Sequence, residues 1–483
     1  MKVCIVAEGC YPYVVGGVSG WINSLIQSFP NIEFILLTII ANRSSRGKFV
    51  YELPKNVTQV YEVYLEDCEW NNGKKRQKNR KHIRLSKKEY AEMLNMVLNR
   101  KTDWNILFDL FQRKNLSIDD LLMGPDFFQI ARECYNRKYS GIIFSDFLWT
   151  LRSIYLPMFW VLKMNIPKAD LYHCVATGYA GVIGSMAKKR YGCGLMVSEH
   201  GIYTREREEE LIRAKWVGGI YKNIWIEQFK KMFLLAYRYA DQVTCLYKHA
   251  MELQIELGCP AEKIKITPNG IDDQRFVRCL EEERKEDDTI NIGAVLRIAP
   301  IKDVKTMIRA FAYAKKEAPK LALWIMGPSD EEKEYAKECF ELVDLLGVED
   351  VIFTGKVDVT EYLGKMDMTI LTSISEGQPL TILESFAAKK PVIATDVGNC
   401  RGLIYGEGDS FGEAGIITHI MNVEEIAAAM VDLACHREKR IGMGKNGYRR
   451  LKSRYLVEDM KETYRQIYRQ FEDEGRVQGK KGD

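Results

Sequence analysis

The chain has 483 residues, of which 46% are hydrophobic and 28% charged, with a formal charge of +4. That length is too great for one ordinary core and predicts two domains. The small net charge gives no global case for nucleic acid as a partner, and no apolar stretch reads as a spanning helix, so neither a nucleic-acid binder nor an integral membrane protein is expected.

In chain order, Lys2 to Ala7 is a strand-length apolar run, followed by the loop Gly16-Gly17-Val18-Ser19-Gly20 and then a helix pattern with Trp21, Leu25 and Ile26. Phe34 to Ile40 reads as a second buried strand. Strand, glycine turn, helix and strand open a doubly wound α/β domain. Residues from about 66 to 165 are charged, aromatic and helical in character, and predict a helical insertion. The most apolar part, Phe147 to Met164, holds Arg152 and Pro157. Strand and helix alternate again from Asp170 to Cys174, through the helix Gly178 to Lys188, the strand Leu195 to Ser198, the helix Ile224 to Tyr239 and the strands Gln242 to Leu246 and Ile264 to Thr267. The turn cluster Pro268-Asn269-Gly270-Ile271-Asp272 marks the domain boundary. Beyond it, strands are expected at Ile290 to Val295, Ala322 to Met326, Val351 to Thr354, Met368 to Thr372 and Pro391 to Ala394. Continuous apolar strands separated by helices imply a parallel sheet covered on both faces. The expected domains are therefore 1–272, with the insertion at 66–165 and a closing C-terminal helix at about 452–475, and 273–451.

The 12 cysteines are scattered without a Cys-x-x-Cys pair. They read as reduced, mostly buried thiols of a cytoplasmic protein.

One block concentrates chemistry. Thr372-Ser-Ile-Ser-Glu376-Gly377-Gln378-Pro379-Leu380-Thr-Ile-Leu-Glu384 follows a strand and starts a helix. Helix-terminal N–H groups suit a phosphate, and the two carboxylates suit the hydroxyls of a sugar and of a ribose. Arg297 and Lys302 flank a loop at the carboxyl end of another strand, where open α/β sheets bind ligands and where two cations could hold a diphosphate. His200, in Glu199-His200-Gly201-Ile202-Tyr203-Thr204-Arg205, stands just past a strand. The Gly16-Gly17 loop is not a Gly-x-Gly-x-x-Gly fingerprint, which disfavours a NAD-dependent dehydrogenase. No Asp-x-Asp tripeptide supplies hard ligands, so no metal is expected. The run from Lys74 to Lys88, carrying Arg76, Lys78, Arg80, Lys81, Arg84 and Lys87, has no acid inside it. Its bland reading is a solvated loop; its functional reading is contact with anionic head groups, an acidic partner or a growing polymer.

Together the Glu-x7-Glu block, the Arg297/Lys302 loop and the Pro-Asn-Gly-Ile-Asp linker resemble the GT-B glycosyltransferases of family 4. The likeness spans nearly the whole chain and is weakest in the insertion. It implies two Rossmann-like domains facing a central cleft, a UDP-linked donor (UDP-glucose favoured), retention of configuration, no metal and no other cofactor. By the same resemblance Arg297 and Lys302 bind the diphosphate and Glu376 holds the donor sugar. Glu384 takes the ribose and Gly17 lies near the phosphates. His200 lies near sugar and acceptor, Lys356 beside the base, and Gly377, Gln378, Pro379 and Leu380 on the donor. Three segments, Tyr11 to Ser19, Glu199 to Thr204 and Ser373 to Leu380, point to a cytosolic branch that builds exopolysaccharide, working with a membrane-bound synthase complex. The rival readings are a non-catalytic subunit that binds nucleotide sugar and a phosphorylase-like enzyme needing a pyridoxal phosphate lysine.

Overall fold

The computed structural model describes residues 1–68, 83–201, 207–208, 210–212, 214, 217–281 and 289–479. They form two compact units. The first comprises residues 1–245, 251–266 and 466–483; the second comprises 246–250 and 267–465.

The first unit holds a seven-stranded sheet made of β1 (Lys2–Glu8), β2 (Glu33–Ile40), β3 (Val57–Tyr64), β4 (Leu171–Cys174), β5 (Gly194–Ser198), β6 (Gln242–Cys245) and β7 (Ile264–Ile266), in the spatial order β3-β2-β1-β4-β5-β6-β7. All its pairings are parallel. The central strand shows why: Val3, Cys4, Ile5, Val6 and Ala7 are all fully buried, which suits a strand covered on both faces. The sequence reading assigned nothing to β3. It is an edge strand whose residues are half exposed up to Tyr61, so its Val-Thr-Gln-Val-Tyr-Glu-Val-Tyr run lacks the continuous apolar signature of its neighbours.

Between β3 and β4 run helices Lys87–Val97, Trp104–Phe111, Ile118–Leu122, Pro125–Cys134 and Phe144–Lys163. Ser86 caps the first with a reciprocal Ser86–Glu89 box, and Asp103 and Ser117 cap the next two. Their aromatic faces share one core with the sheet: Phe108, Phe111, Phe127 and Phe159 belong to the same buried cluster as Cys4, Val6, Ile35 and Leu37. Pro157 sits inside the helix Phe144–Lys163. Among the described residues no helix is long and apolar enough to cross a membrane.

The second unit holds β8 (Ile290–Val295), β9 (Leu321–Met326), β10 (Val351–Gly355), β11 (Met368–Leu371), β12 (Val392–Thr395) and β13 (Gly415–Thr418), ordered β10-β9-β8-β11-β12-β13 and again all parallel. Alternate residues of β9 serve opposite faces. Leu321, Leu323 and Ile325 pack under helices Val304–Glu317 and Val423–Cys435, while Trp324 and Met326 pack under Leu380–Ala387 and Cys400–Tyr405. The short edge strand β13 was also not foreseen. Arg450, fully buried on the helix Arg437–Arg454, pairs twice with Asp409 at 2.8 and 2.9 Å and donates to the carbonyls of Leu403, Ile404 and Gly412.

The last helix, Val457–Gly479, begins in the second unit and ends in the first. There the Tyr468 hydroxyl meets His173 Nδ1 at 2.8 Å, and Phe471 closes over Gly194. These are two parallel-sheet, Rossmann-like units of the GT-B class.

Candidate functional site

In both sheets the chain reverses direction of growth once. The reversal lies between β1 and β4 in the first unit and between β8 and β11 in the second. Ligands of open α/β sheets bind beyond the carboxyl ends of the strands at such a switch point. Of the residues singled out from the sequence, Lys302 follows β8 and Glu376 follows β11 in the second unit, and Gly17 follows β1 in the first.

Around β8 and β11 the loops are tied by their backbones. Thr372 Oγ1 donates to the carbonyls of Lys302 and Asp303, Ile374 N–H donates to Ile301 O, and Thr395 Oγ1 donates to Ser373 O. This fixes the Lys302 ammonium 2.5 Å from Glu376 Oε1, which also accepts from Ser373 Oγ at 2.5 Å. Both charged side chains are mostly buried, 19% and 12% exposed, so the pair is far less screened than a surface pair. A cation that already neutralises one carboxylate, with phosphate-sized anions favoured at the adjoining helix start, is an arrangement for holding a polar hydroxylated ligand and an anion side by side.

Gly377 is held from behind. Its carbonyl accepts from Asn399 N–H, and Gly398, at φ +53°, passes so close that a Cβ there would stand 2.2 Å from Glu376 O and 2.4 Å from Gly377 O. Gly398 is a residue the sequence reading missed, although a glycine three residues beyond the buried strand β12 is the available signal. The helix Leu380–Ala387 starts after Pro379, which is its N-cap residue, and no side chain caps it. Leu380 opens the helix.

Other expected residues lie differently. Arg297 is not paired beside Lys302; its guanidinium bridges Glu331 at 2.7 Å, with both side chains about half exposed. Gln378 has spent its side chain on the backbone of the Pro268–Asp272 turn, accepting from Asn269 N at 3.0 Å and donating to Asn269 O at 3.2 Å. Glu384, four residues into the helix, is half-buried; burial pushes its carboxyl above the usual carboxylate range, against the pull of the Arg275 guanidinium. Lys356, just past β10, is exposed and two strands away from β8.

In the first unit, Gly17 starts the helix Gly17–Ser28, and a Cβ on it would meet nothing within 4 Å. His200 follows β5 with its ring 4.2 Å from that of Trp21. Burial lowers its imidazole to about 4, and its buried Nε2 has no hydrogen-bond partner among the described residues. The preceding Glu199 was not assigned a role. It is buried and accepts from Thr177 Oγ1, Tyr237 Oη and Gln254 Nε2, which anchors the end of β5.

Of the basic run, Lys74 to Lys81 lies outside the described residues, as do Ile202 to Arg205. Arg84 is ion-paired with Asp126 at 2.8 Å. Among the described residues no group of three or more His, Cys, Asp or Glu side chains is placed to hold a metal. None of their twelve cysteines forms a disulfide, and ten of them are buried.

Comparison with known proteins bears on the family and the fold. Residues 1–262 match the family described as "Domain of unknown function (DUF3492)", and residues 289–436 match "Glycosyl transferases group 1". The alpha-monoglucosyldiacylglycerol synthase of Streptococcus pneumoniae is 30% identical over 220 residues, 40% of this chain and 49% of that protein. The chain thus spans about half the length of such curated relatives. Among solved structures, Anabaena Alr3699/HepE with UDP superposes with a TM-score of 0.62 at 15% identity, covering 97% of this chain and 100% of that one. Its complex with UDP-glucose gives 0.60 at 15% identity over 97% and 100%. With 1–262 of its 483 residues inside the first family model, the chain belongs to the DUF3492 family, built on a GT-B fold with a group 1 glycosyltransferase domain in its second half.

Proposed function

We propose that this chain is a retaining, metal-independent hexosyltransferase. It would move a hexose from a UDP-sugar, UDP-glucose favoured, to a growing exopolysaccharide or related glycan. The observation that carries the reading is the buried Lys302–Glu376–Ser373 cluster at the switch point of the second sheet. Its motifs resemble PelF, the cytosolic glycosyltransferase of Pel exopolysaccharide synthesis, and a membrane-bound synthase complex is the partner this resemblance implies. The HepE complexes with UDP and UDP-glucose support the choice of nucleotide.

In this reading the sugar hydroxyls lie on Glu376, and the diphosphate lies on Lys302 and the N–H groups from Gly377 to Leu380. The bond from sugar C1 to the phosphate oxygen breaks, and the acceptor oxygen bonds to C1 on the same face. The acceptor proton passes to the departing diphosphate. Negative charge therefore grows on phosphate, next to Lys302 and to Arg297 once Arg297 leaves Glu331. Glu376 positions the sugar and forms no covalent bond. Glu384 accepts from the ribose, Lys356 lies beside the base, and Gly17 and His200 serve the phosphates and the acceptor.

A panel of UDP-, GDP- and ADP-sugars, scored for thermal stabilisation and nucleotide release, tests the reading. UDP-sugars should stabilise the protein and release UDP. Lys302→Ala and Glu376→Ala should each cost roughly 10²–10³ in rate, the usual loss of one preorganised group, while remaining folded. Donor binding without transfer or hydrolysis would instead mark a non-catalytic binding subunit.

A further inference from the structure

A cavity lies within the first unit, among residues that the candidate site does not use. It has a volume of about 430 Å³ and is formed where the helix Ile220–Tyr239 meets the helix Lys87–Val97 and the segment Asn99–Trp104. That volume falls within the range of small-molecule sites, roughly 300–1,000 Å³. Its lining combines basic and apolar side chains. Arg100, Lys101, Lys230, Lys231 and Arg238 supply five cations, of which Lys230 pairs with Glu208 at 3.4 Å and Arg238 donates to Thr102 O at 2.8 Å. Met96, Trp104, Leu234 and Leu235 supply an apolar wall.

Glu227 is the one acid in the lining. It is already engaged, accepting from Tyr139 Oη at 3.1 Å and from Asn99 Nδ2, with Lys138 3.7 Å away. Arg100 and Lys101 are exposed and have no acidic partner among the described residues. Lys231 is set into the wall. Its ammonium donates to Tyr155 Oη at 2.5 Å and to Gln228 Oε1 at 3.5 Å, and lies 5.0 Å from the centre of the Tyr155 ring. Burial lowers that ammonium to about 7, against the opposing pull of Glu227. An ammonium withdrawn from water without a carboxylate in contact is costly, and an anion in the cavity offsets the cost.

We propose that this cavity binds an amphiphilic phosphate ester: a phosphate held by Arg100, Lys101 and Lys231, with its apolar tail against Trp104 and Leu234. A dianion matches a surplus of cations better than a single carboxylate does. The apolar wall gives a bare phosphate nothing to gain, so head and tail are both required. The site needs neither sugar transfer nor the Lys302–Glu376 cluster, and its test is a binding measurement.

Calorimetry on the full chain with octyl phosphate, inorganic phosphate and octyl glucoside decides the matter. Octyl phosphate should bind one to one and at least about tenfold tighter than either half-ligand. The variant Arg100→Gln/Lys101→Gln, which alters two exposed side chains, should keep its unfolding midpoint and weaken octyl phosphate by roughly tenfold or more. Lys231→Met should weaken it as well. Equal affinity for octyl phosphate and octyl glucoside would overturn the proposal, as would unchanged binding by the double variant. Flotation with phosphatidylcholine vesicles containing phosphatidic acid then identifies the source. Capture that depends on Arg100 and Lys101 assigns the site to a bilayer lipid. Tight octyl phosphate binding without capture assigns it to a soluble phosphate ester.

Discussion

Replacing Gly398 by alanine asks whether the Glu376–Gly377 backbone must stand where it does. Two costs are separable. At φ +53° an alanine pays the left-handed penalty, about 1 kcal/mol. The new Cβ would also lie 2.2 Å from Glu376 O and 2.4 Å from Gly377 O, where real contacts stay beyond 3.0 Å. The carbonyls must therefore retreat by roughly 1 Å, a misplacement that can cost about 10²-fold in rate when it moves a substrate-holding group. Gly347 supplies the matched control, since its φ is +56° and a Cβ there meets nothing within 4 Å. Gly347→Ala should lose about 1 kcal/mol in urea unfolding and keep its turnover. Gly398→Ala should lose about 2–4 kcal/mol, the strain plus overpacking, and release UDP from UDP-glucose about a hundredfold more slowly. Turnover of Gly398→Ala within a few-fold of the Gly347→Ala variant would refute the claim that this loop's position sets the donor site.

Other outcomes follow from the same structure. Arg450→Met leaves Asp409 and three carbonyls behind in the core of the second unit and should destabilise it by about 3–5 kcal/mol in denaturant. Asp409 is held below the usual carboxylate range first by its hydrogen bond from Arg450, so the stability it contributes is present at neutral pH and is lost as pH falls through its lowered value; Arg450→Met should flatten that acid limb. Burial lowers His173 to about 3 and His200 to about 4, whereas both titrate near 6.5 when unfolded. The unfolded chain therefore takes up protons first, and the unfolding temperature should fall as pH drops from 6.5 towards 4, less steeply in His173→Gln. Glu384 has the opposite sign. Its raised carboxyl disfavours the folded state once ionised, so Glu384→Gln should raise the unfolding temperature at neutral pH while weakening UDP-sugar binding by roughly 10–100-fold in calorimetry.

Much of this arrangement can be read from residues alone, for a physical reason. Strands such as β1 and β8 are buried on both faces and appear as unbroken apolar runs, and the Glu376–Glu384 block sits on a strand-to-helix turn that the spacing reveals. Edge strand β3 interleaves exposed polar residues and so lacks that signal, whereas the edge strands β7 and β10 keep enough apolar residues to be read. Partnerships are harder. That Arg297 would meet Glu331 depends on how the loop after β9 returns, and the two residues lie 34 positions apart in sequence. Gln378 was read as part of the donor surface, yet its amide matches the Asn269 main chain, a pairing across 109 positions that no local pattern encodes. Gly398 can be seen in the sequence as a glycine past a buried strand, but its value lies in the backbone that passes beside it, which no local pattern encodes.

The shared core of the first unit limits how this chain can be altered. Because Phe111 and Phe159 belong to one buried cluster with Cys4 and Val6, the block of helices between β3 and β4 is no removable cassette. Cutting it out would bare the face of the central strand, and grafting it onto another sheet would require that sheet's side chains to fit the same aromatic rings. Changes in these helices and in the first strands are thus bound to one another, and a relative that differs in one should differ in the other.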